Sequence, residues 1–219
     1  MTKIDGVIFD MDGLLFDTEL IYYRSTQKIA DAMGFPYSKA TYLQFLGVSD
    51  AEVFENYQQM FQSFGETAVA EFLRQISADT HREFASGNVP LKEGVLDVLE
   101  ELDQAGVPRV VASSNLRPTI ELLLDSAGIK GRFSGIISAE DVQRAKPDPE
   151  IFNKARHFLG TAAERTLIFE DSFHGVTAAY KAGIPVIMVP DLIEPTPEIQ
   201  QKTVTILNSL KEAPAYLKQ

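Results

Sequence analysis

The chain has 219 residues, 45% hydrophobic and 23% charged, a composition ordinary for a globular protein with one large domain or a domain carrying an insertion. Its formal net charge of −11 disfavours non-specific binding to nucleic acid or anionic membrane. The absence of cysteine excludes disulfides, thiolate nucleophiles and cysteine metal sites. The sequence shows no leader-like start and no apolar run of transmembrane length, so we expect a cytoplasmic protein that binds neither nucleic acid nor membrane.

The first predicted strand leads into the first candidate site. Val7, Ile8 and Phe9 form a short apolar run that indicates a buried strand, and the run stops at Asp10 and Asp12, just before a glycine. Once the chain leaves the sheet and turns, these two carboxylates can converge on one small volume, where they repel each other unless a cation or a shared proton lies between them. An ordinary turn has the same composition, so this motif alone leaves both interpretations open.

Residues 17–86 have a helical pattern. Their apolar side chains recur mostly at intervals of three, four or seven, and the pattern is interrupted at 34–36, 47–50 and 63–65. We therefore predict an all-helical insertion at residues 17–86, packed on itself, and a core formed by residues 1–16 together with 87–219.

From residue 90 onward, predicted helices and strands alternate. The predicted helices are 94–105, 118–127, 149–159, 175–182 and 209–217, and the predicted strands are 109–112, 135–137, 166–169 and 186–189, with a candidate edge strand at 203–206. Strands that alternate with helices of this length pair in parallel through right-handed crossovers. The fold class is therefore α/β, with a doubly wound parallel, Rossmann-like sheet.

Polar side chains follow several of these strands. Ser113-Ser114-Asn115 follow the second strand, Glu170-Asp171-Ser172 follow the fourth, and a lone Lys146 lies in the loop after the third. In sheets of this kind, ligands bind beyond the carboxyl ends of the strands. We therefore predict that these loops and the Asp10–Asp12 turn form one site.

Four sequence motifs carry a resemblance to a known family. They are residues 10–19 (DMDGLLFDTE), 112–115 (ASSN), 145–152 (AKPDPEIF) and 169–175 (FEDSFHG). In this order and at these strand ends, they make the chain similar to the haloacid dehalogenase-like superfamily, in particular to the branch of β-phosphoglucomutase and of small sugar-phosphate and nucleotide phosphatases. The resemblance spans the whole chain and implies a helical cap domain inserted after the first motif.

The resemblance implies roles for the acids. Asp10 would be the nucleophile that forms an aspartyl phosphate, and Asp12 the general acid that later activates water as a base. Mg²⁺ would be bound by Asp10, the backbone carbonyl of Asp12 and Asp171, with Glu170 as a further candidate ligand. Dehalogenases of the superfamily lack an acid at the position of Asp12, since a halide leaves without a proton, so Asp12 favours phosphoryl transfer.

The resemblance also implies a phosphate-binding set. Ser113, the backbone amides of Ser114 and Asn115, and Lys146 would bind the phosphoryl oxygens. Two alternatives remain open at this level: the Ser-Ser-Asn segment could provide an N-cap for the helix near Pro118, and Lys146 could be an ordinary surface lysine.

The expected enzyme is a Mg²⁺-dependent phosphatase, a phosphoric monoester hydrolase acting as a monomer on a sugar phosphate or nucleotide-like phosphomonoester. The alternatives are a phosphomutase and a non-catalytic phosphate sensor. In β-phosphoglucomutase-like proteins an arginine follows the cap's Gly-Val-Ser, whereas here Asp50 follows Gly47-Val48-Ser49, which disfavours the mutase.

The cap should close over the site by hinging near 16–17 and 87–88. His81 and His157 are expected at the surface, and the pattern assigns no role to His174, Glu19 or Arg24.

Overall fold

A computed structural model describes residues 3–45 and 50–217, apart from the side chains of Asp50 and Ala51. In this part of the chain a six-stranded parallel sheet has the order β3-β2-β1-β4-β5-β6. The strands are β1 (Gly6–Phe9), β2 (Arg109–Ala112), β3 (Gly135–Ile137), β4 (Thr166–Glu170), β5 (Val186–Met188) and β6 (Thr205–Ile206). The predicted Rossmann-like α/β fold is confirmed.

The helices follow the predicted order with small shifts at their ends. They are α1 (Glu19–Met33), α2 (Lys39–Leu43), α3 (Asp50–Met60), α4 (Glu66–Ala85), α5 (Val95–Gln104), α6 (Arg117–Ser126), α7 (Glu150–Leu159), α8 (Phe173–Ala182), α9 (Pro197–Gln200) and α10 (Ala213–Leu217). The single helix predicted at 209–217 is a 3₁₀ turn at Leu210–Glu212 followed by α10, and α9 was not predicted. No described helix is both long enough and apolar enough to cross a membrane.

The central strands β1, β2, β4 and β5 are buried on both faces because most of their residues are apolar. Val7 and Phe9 of β1 face the layer that contains α5 and α6, whereas Ile8 faces the layer of α7 and α8. Alternate side chains of a strand point to opposite faces, so one continuous apolar run serves both layers. The central strands are thereby held rigidly, and the loops at their ends have a fixed base.

Helices α1–α4 enclose a separate apolar cluster rich in aromatic side chains. Within it the rings of Phe35 and Phe72 stack with centroids 4.4 Å apart, and Tyr57 and Phe61 are almost fully buried. The helical character predicted for this region is therefore observed, and its division from the core as a domain at 17–86 stays a prediction.

Two connections join these helices to the sheet, and they run side by side. The amide of Asp17 donates to the carbonyl of Pro90 at 3.0 Å, and the amide of Lys92 donates to the carbonyl of Leu15 at 2.9 Å. Between them Phe16 is fully buried. The helical segment α1–α4 thus leaves and re-enters the sheet layer at one place, directly beside Asp10 and Asp12.

Candidate active site

The candidate site lies at the carboxyl ends of the three central strands. β1 is hydrogen-bonded to β2 on one side and to β4 on the other, and Phe9 is in register with Val111 and Phe169. The chain positions just beyond this level are Asp10, the residues after Ala112, and Glu170 with Asp171. The predicted convergence of these loops therefore follows from the strand register.

Three carboxylates form an acidic cluster. One oxygen each from Asp10, Glu170 and Asp171 lies within 4.8 Å of the others. Burial raises the pKa of Asp10 to about 7, with nearby Lys146 acting in the opposite direction. Burial and the charge of Glu170 also raise the pKa of Asp171 well above its usual range. An all-oxygen donor set whose negative charges repel one another fits a hard divalent cation such as Mg²⁺.

Lys146 provides the positive charge inside this cluster. Its Nζ lies 2.5 Å from Oδ1 of Asp10 and 2.8 Å from Oε1 of Glu170, and the residue is only 4% exposed. Burial alone would lower the pKa of Lys146, but the two carboxylates raise it. The lysine is therefore charged and buried, so the surface-lysine alternative is wrong.

Glu170 is fixed from three directions. Its Oε1 accepts from Lys146, and its Oε2 accepts from the amide of Ser172 at 2.6 Å and from the hydroxyl of Ser172 at 3.0 Å. A Cβ atom at Gly175 would lie 1.6 Å from Oε1 of Glu170, so the carboxylate fits only because α8 has a glycine there. Both oxygens of Glu170 are engaged, which leaves Asp10 and Asp171 with the more available oxygen atoms.

Asp12 lies beside this cluster with a different set of partners. Its Oδ2 accepts from Nδ2 of Asn115 at 2.9 Å and from the hydroxyl of Ser113 at 3.2 Å. Its buried Oδ1 makes no well-formed hydrogen bond within the described residues. Burial raises the pKa of Asp12, against the effect of the Asn115 hydrogen bond. A buried carboxyl with one oxygen anchored by two hydrogen bonds and the other, near Thr18, without a well-formed one is suited to hold and release a proton.

The Ser113–Asn115 segment supports Asp12 rather than capping a helix. The hydroxyl of Ser113 accepts from the backbone amide of Asn115 at 3.1 Å. The side-chain Nδ2 of Asn115 also donates to the hydroxyl of Tyr22 at 2.9 Å. The N-cap of α6 is Leu116, which makes no side-chain cap bond. The alternative that this segment caps the helix near Pro118 is therefore wrong.

A cavity of about 660 Å³ separates these residues from the helical segment α1–α4. Of the predicted site residues, Asp10, Asp12, Ser114, Asn115, Lys146 and Asp171 line it. Ser113 and Glu170 are fully buried and do not line it. The predicted residues thus form a lining and a supporting layer behind it.

The cavity also has lining residues that sequence reasoning left unassigned. Glu19 is 9% exposed and accepts a hydrogen bond from the hydroxyl of Tyr42; burial raises the pKa of Glu19 to about 8. His81 is exposed as expected, but it lines the cavity from α4. His174 lines a smaller cavity of about 190 Å³ with Asp171 and Asp191.

The sequence argument against a phosphomutase used Gly47-Val48-Ser49 and Asp50. Residues 47–49 and the side chain of Asp50 lie outside the described part of the chain.

The parallel sheet, its two layers of helices and the buried acids around Lys146 at its carboxyl edge define a Rossmann-like α/β protein with an oxygen-rich polar site. Residues 7–189 match the family model described as haloacid dehalogenase-like hydrolase, and the chain belongs to this family. The predicted resemblance to the superfamily is confirmed.

Named relatives include enzymes of this class. The chain is 33% identical over 202 residues to the "Probable pseudouridine-5'-phosphatase" of Drosophila melanogaster, which covers 87% of this chain and 84% of the relative. It is 29% identical over 183 residues to the "Phosphorylated carbohydrates phosphatase" of Thermotoga maritima, covering 83% and 82%. The expected class, phosphoric monoester hydrolase, agrees with these names.

A solved structure shares the fold over the full length. The crystal structure of CbbY from Rhodobacter sphaeroides in complex with phosphate matches with a TM-score of 0.82 and 24% identity, covering 99% of this chain and 100% of that chain. This likeness shows that the whole fold is common to both proteins.

Proposed function

We propose that this protein is a Mg²⁺-dependent phosphomonoesterase that hydrolyses a small phosphorylated metabolite through an aspartyl-phosphate intermediate on Asp10. The observation that carries the proposal is the position of Asp10, which lies on the cavity, 2.5 Å from the amine of Lys146 and within the acidic cluster. The names of the two phosphatase relatives support it.

The acidic cluster is the proposed metal site. Asp10, Asp171 and the backbone carbonyl of Asp12 would bind Mg²⁺, with Glu170, whose oxygens already accept from Lys146 and Ser172, as a further candidate ligand. When bound, the cation would offset the repulsion between the Asp10 carboxylate and the phosphate dianion and orient the phosphoryl group. Lys146 favours the ionised form of Asp10 and holds it in place, and its charge is available to the equatorial phosphoryl oxygens.

Asp10 would attack the phosphorus atom in line with the ester bond. The new bond joins an Asp10 oxygen to phosphorus, and the ester P–O bond breaks with its electron pair on the leaving oxygen. The leaving oxygen takes a proton from Asp12, and we assign that proton to Oδ1, which makes no well-formed hydrogen bond within the described residues. Asp12 then accepts a proton from the water that attacks the same phosphorus atom, which releases phosphate and restores Asp10.

The phosphate-binding residues and the helices complete the proposal. The backbone amide of Ser114 would donate to the phosphoryl oxygens, while the hydroxyl of Ser113 donates to Asp12, accepts from the backbone amide of Asn115 and so holds both in position. The helical segment α1–α4 would act as the cap that covers the cavity, controls access of water and selects the substrate.

The first test is phosphate release from p-nitrophenyl phosphate and from a panel of phosphorylated metabolites. We expect turnover that chelator abolishes and Mg²⁺ restores. Asp10→Asn should lose it by several orders of magnitude, whereas the matched change at exposed Asp97 should not affect it. Turnover that survives chelator, or that persists in Asp10→Asn, would disprove the proposal.

The second test concerns the intermediate. p-Nitrophenolate is a good leaving group and needs little help from an acid, so the Asp12→Asn variant should still transfer the phosphoryl group to Asp10. It should hydrolyse the resulting aspartyl phosphate slowly, because Asn cannot activate water as a base. We expect a burst of about one nitrophenolate per site and, after acid quench, a peptide containing Asp10 heavier by one phosphoryl group. A burst without that modification would rule out the covalent route.

A further inference from the structure

The cavity is poor in positive charge away from the phosphoryl site. Among the described residues that line it, Lys146 has the only amine or guanidinium group. The other basic side chain is His81, whereas Asp10, Asp12, Glu19 and Asp171 are acids. Residues 46–49, which lie outside the described part, contain neither Lys nor Arg.

Three arginines directly follow lining residues in sequence, and each is paired with an acid. Arg82, next to His81 of the lining, donates to Asp79 at 2.8 Å. Arg117, next to Leu116 of the lining, donates to Asp141 at 2.7 Å. Arg144, next to Gln143 of the lining, lies 3.2 Å from Asp148. A second anionic group on a substrate would therefore be desolvated in the cavity without a free lysine or arginine partner among the described lining residues.

The wall that the helical segment contributes is rich in aromatic side chains. The helical segment α1–α4 contributes the rings of Tyr22, Tyr42, Phe45, Phe54, Tyr57 and Phe84 to the lining. Aromatic faces bind the apolar faces of rings well, and a tyrosine can also hydrogen-bond to a hydroxyl group. Neither property favours a second phosphate or a carboxylate.

We infer that the substrate carries one phosphoryl group on an otherwise uncharged, ring-containing body, and that bisphosphates and phosphorylated acids are rejected. This inference rests on the proposed phosphatase function. It also argues against the phosphomutase alternative, because the bisphosphate of such a reaction would find one cationic site instead of two.

The test uses inhibition of p-nitrophenyl phosphate hydrolysis, so the natural substrate need not be known. Glucose 6-phosphate is compared with glucose 1,6-bisphosphate, and separately with 6-phosphogluconate, in excess Mg²⁺. We expect an inhibition constant at least tenfold lower for glucose 6-phosphate in each pair, equivalent to about 1.4 kcal/mol. Equal inhibition, tighter binding of the doubly anionic partner, or no inhibition by any of the three overturns the inference.

Adding a positive charge to the cavity lining tests whether the shortage of cations is what rejects bisphosphates. His81→Arg places a fixed cation on the lining and should lower the inhibition constant of the bisphosphate about tenfold relative to that of glucose 6-phosphate. The same substitution at exposed His157, on α7 and away from the cavity lining, is the matched control and should leave the ratio unchanged. An unchanged ratio in His81→Arg overturns the inference.

The two levels of argument fail separately. If p-nitrophenyl phosphate is not hydrolysed, the proposed function fails and the inference falls with it. If it is hydrolysed and bisphosphates bind as well as monophosphates, the phosphatase stands and only the inference on substrate charge is wrong.

Discussion

The amine of Lys92 lies 2.5 Å from Oδ1 of Asp191, and this ion pair joins the returning connection from the helical segment to the loop after β5. The side chain of Asp191 is 7% exposed and that of Lys92 is 27% exposed. The second oxygen of Asp191 is buried without a hydrogen-bond partner within the described residues. Within the described residues, the buried negative charge of Asp191 is therefore balanced by Lys92 alone.

Removing the lysine should cost more than removing the acid. Lys92→Met leaves a buried carboxylate unpaired and should lower the free energy of unfolding by about 2 kcal/mol, below the range for a fully buried pair because Lys92 is partly exposed. Asp191→Asn should cost less, since the lysine can reach solvent. The double variant should recover part of the loss in urea unfolding. Additive losses, or a larger loss for Asp191→Asn, would contradict this account.

Lys146 should be needed for both stability and activity. Lys146→Met leaves Asp10 and Glu170 without their shared cation, and we expect a loss of about 3 kcal/mol in the free energy of unfolding together with loss of phosphate release. Lys211→Met removes an exposed ion pair with Glu93 and is the matched control, with no measurable change expected. Chemical denaturation and the phosphatase assay measure the two effects. A stable, active Lys146→Met variant would rule out the proposed role.

Gly175 should not tolerate a methyl group although it lies in α8. On helix propensity alone, Gly→Ala would stabilise a helix by about 1 kcal/mol. Here the added Cβ would displace Glu170, so Gly175→Ala should destabilise the protein by about 2 kcal/mol.

The control for this substitution is Gly131→Ala, where a Cβ would meet nothing within 4 Å. It should be nearly neutral in the same unfolding experiment. If Gly175→Ala is as stable as Gly131→Ala, the close approach to Glu170 does not constrain this position.

Glu19 should make the stability depend on pH. Its folded pKa is raised from 4.5 to about 8 by burial and nearby negative charge, so the folded state binds more protons than the unfolded state between these values. Wild-type stability should therefore fall, relative to Glu19→Gln, as the pH rises from 4.5 to 8. Between pH 4.5 and pH 8 the free energy of unfolding of the wild type should fall by on the order of 4 kcal/mol relative to that of Glu19→Gln.

This experiment is done in chelator, so that no cation binds near Glu19. Exposed Glu55 of α3 provides the matched control, because Glu55→Gln should follow the wild-type profile. Parallel profiles for Glu19→Gln and the wild type would show that burial does not perturb this carboxyl.

Sequence reasoning predicted the strands and the loops of the site because both are encoded locally. Apolar runs define β1, β2 and β4, and the polar residues that end them reach one edge through the sheet register. The pairing of Glu19 with Tyr42, and that of Lys92 with Asp191, could not be predicted, because each joins elements whose relative placement is set by tertiary packing. The position of His81 on the cavity lining was not predicted for the same reason, because periodicity places His81 on a helix but does not show what that helix faces.

The side-by-side course of Leu15–Asp17 and Pro90–Lys92 has a consequence for how such proteins diversify. Since the entry and exit of the intervening residues are hydrogen-bonded neighbours, a different insert could be grafted between them without altering any strand ladder. A change of insert would leave Asp10, Lys146 and Asp171 at the edge of an unchanged sheet, and a chimaera that carries another family member's insert should therefore keep the same sheet.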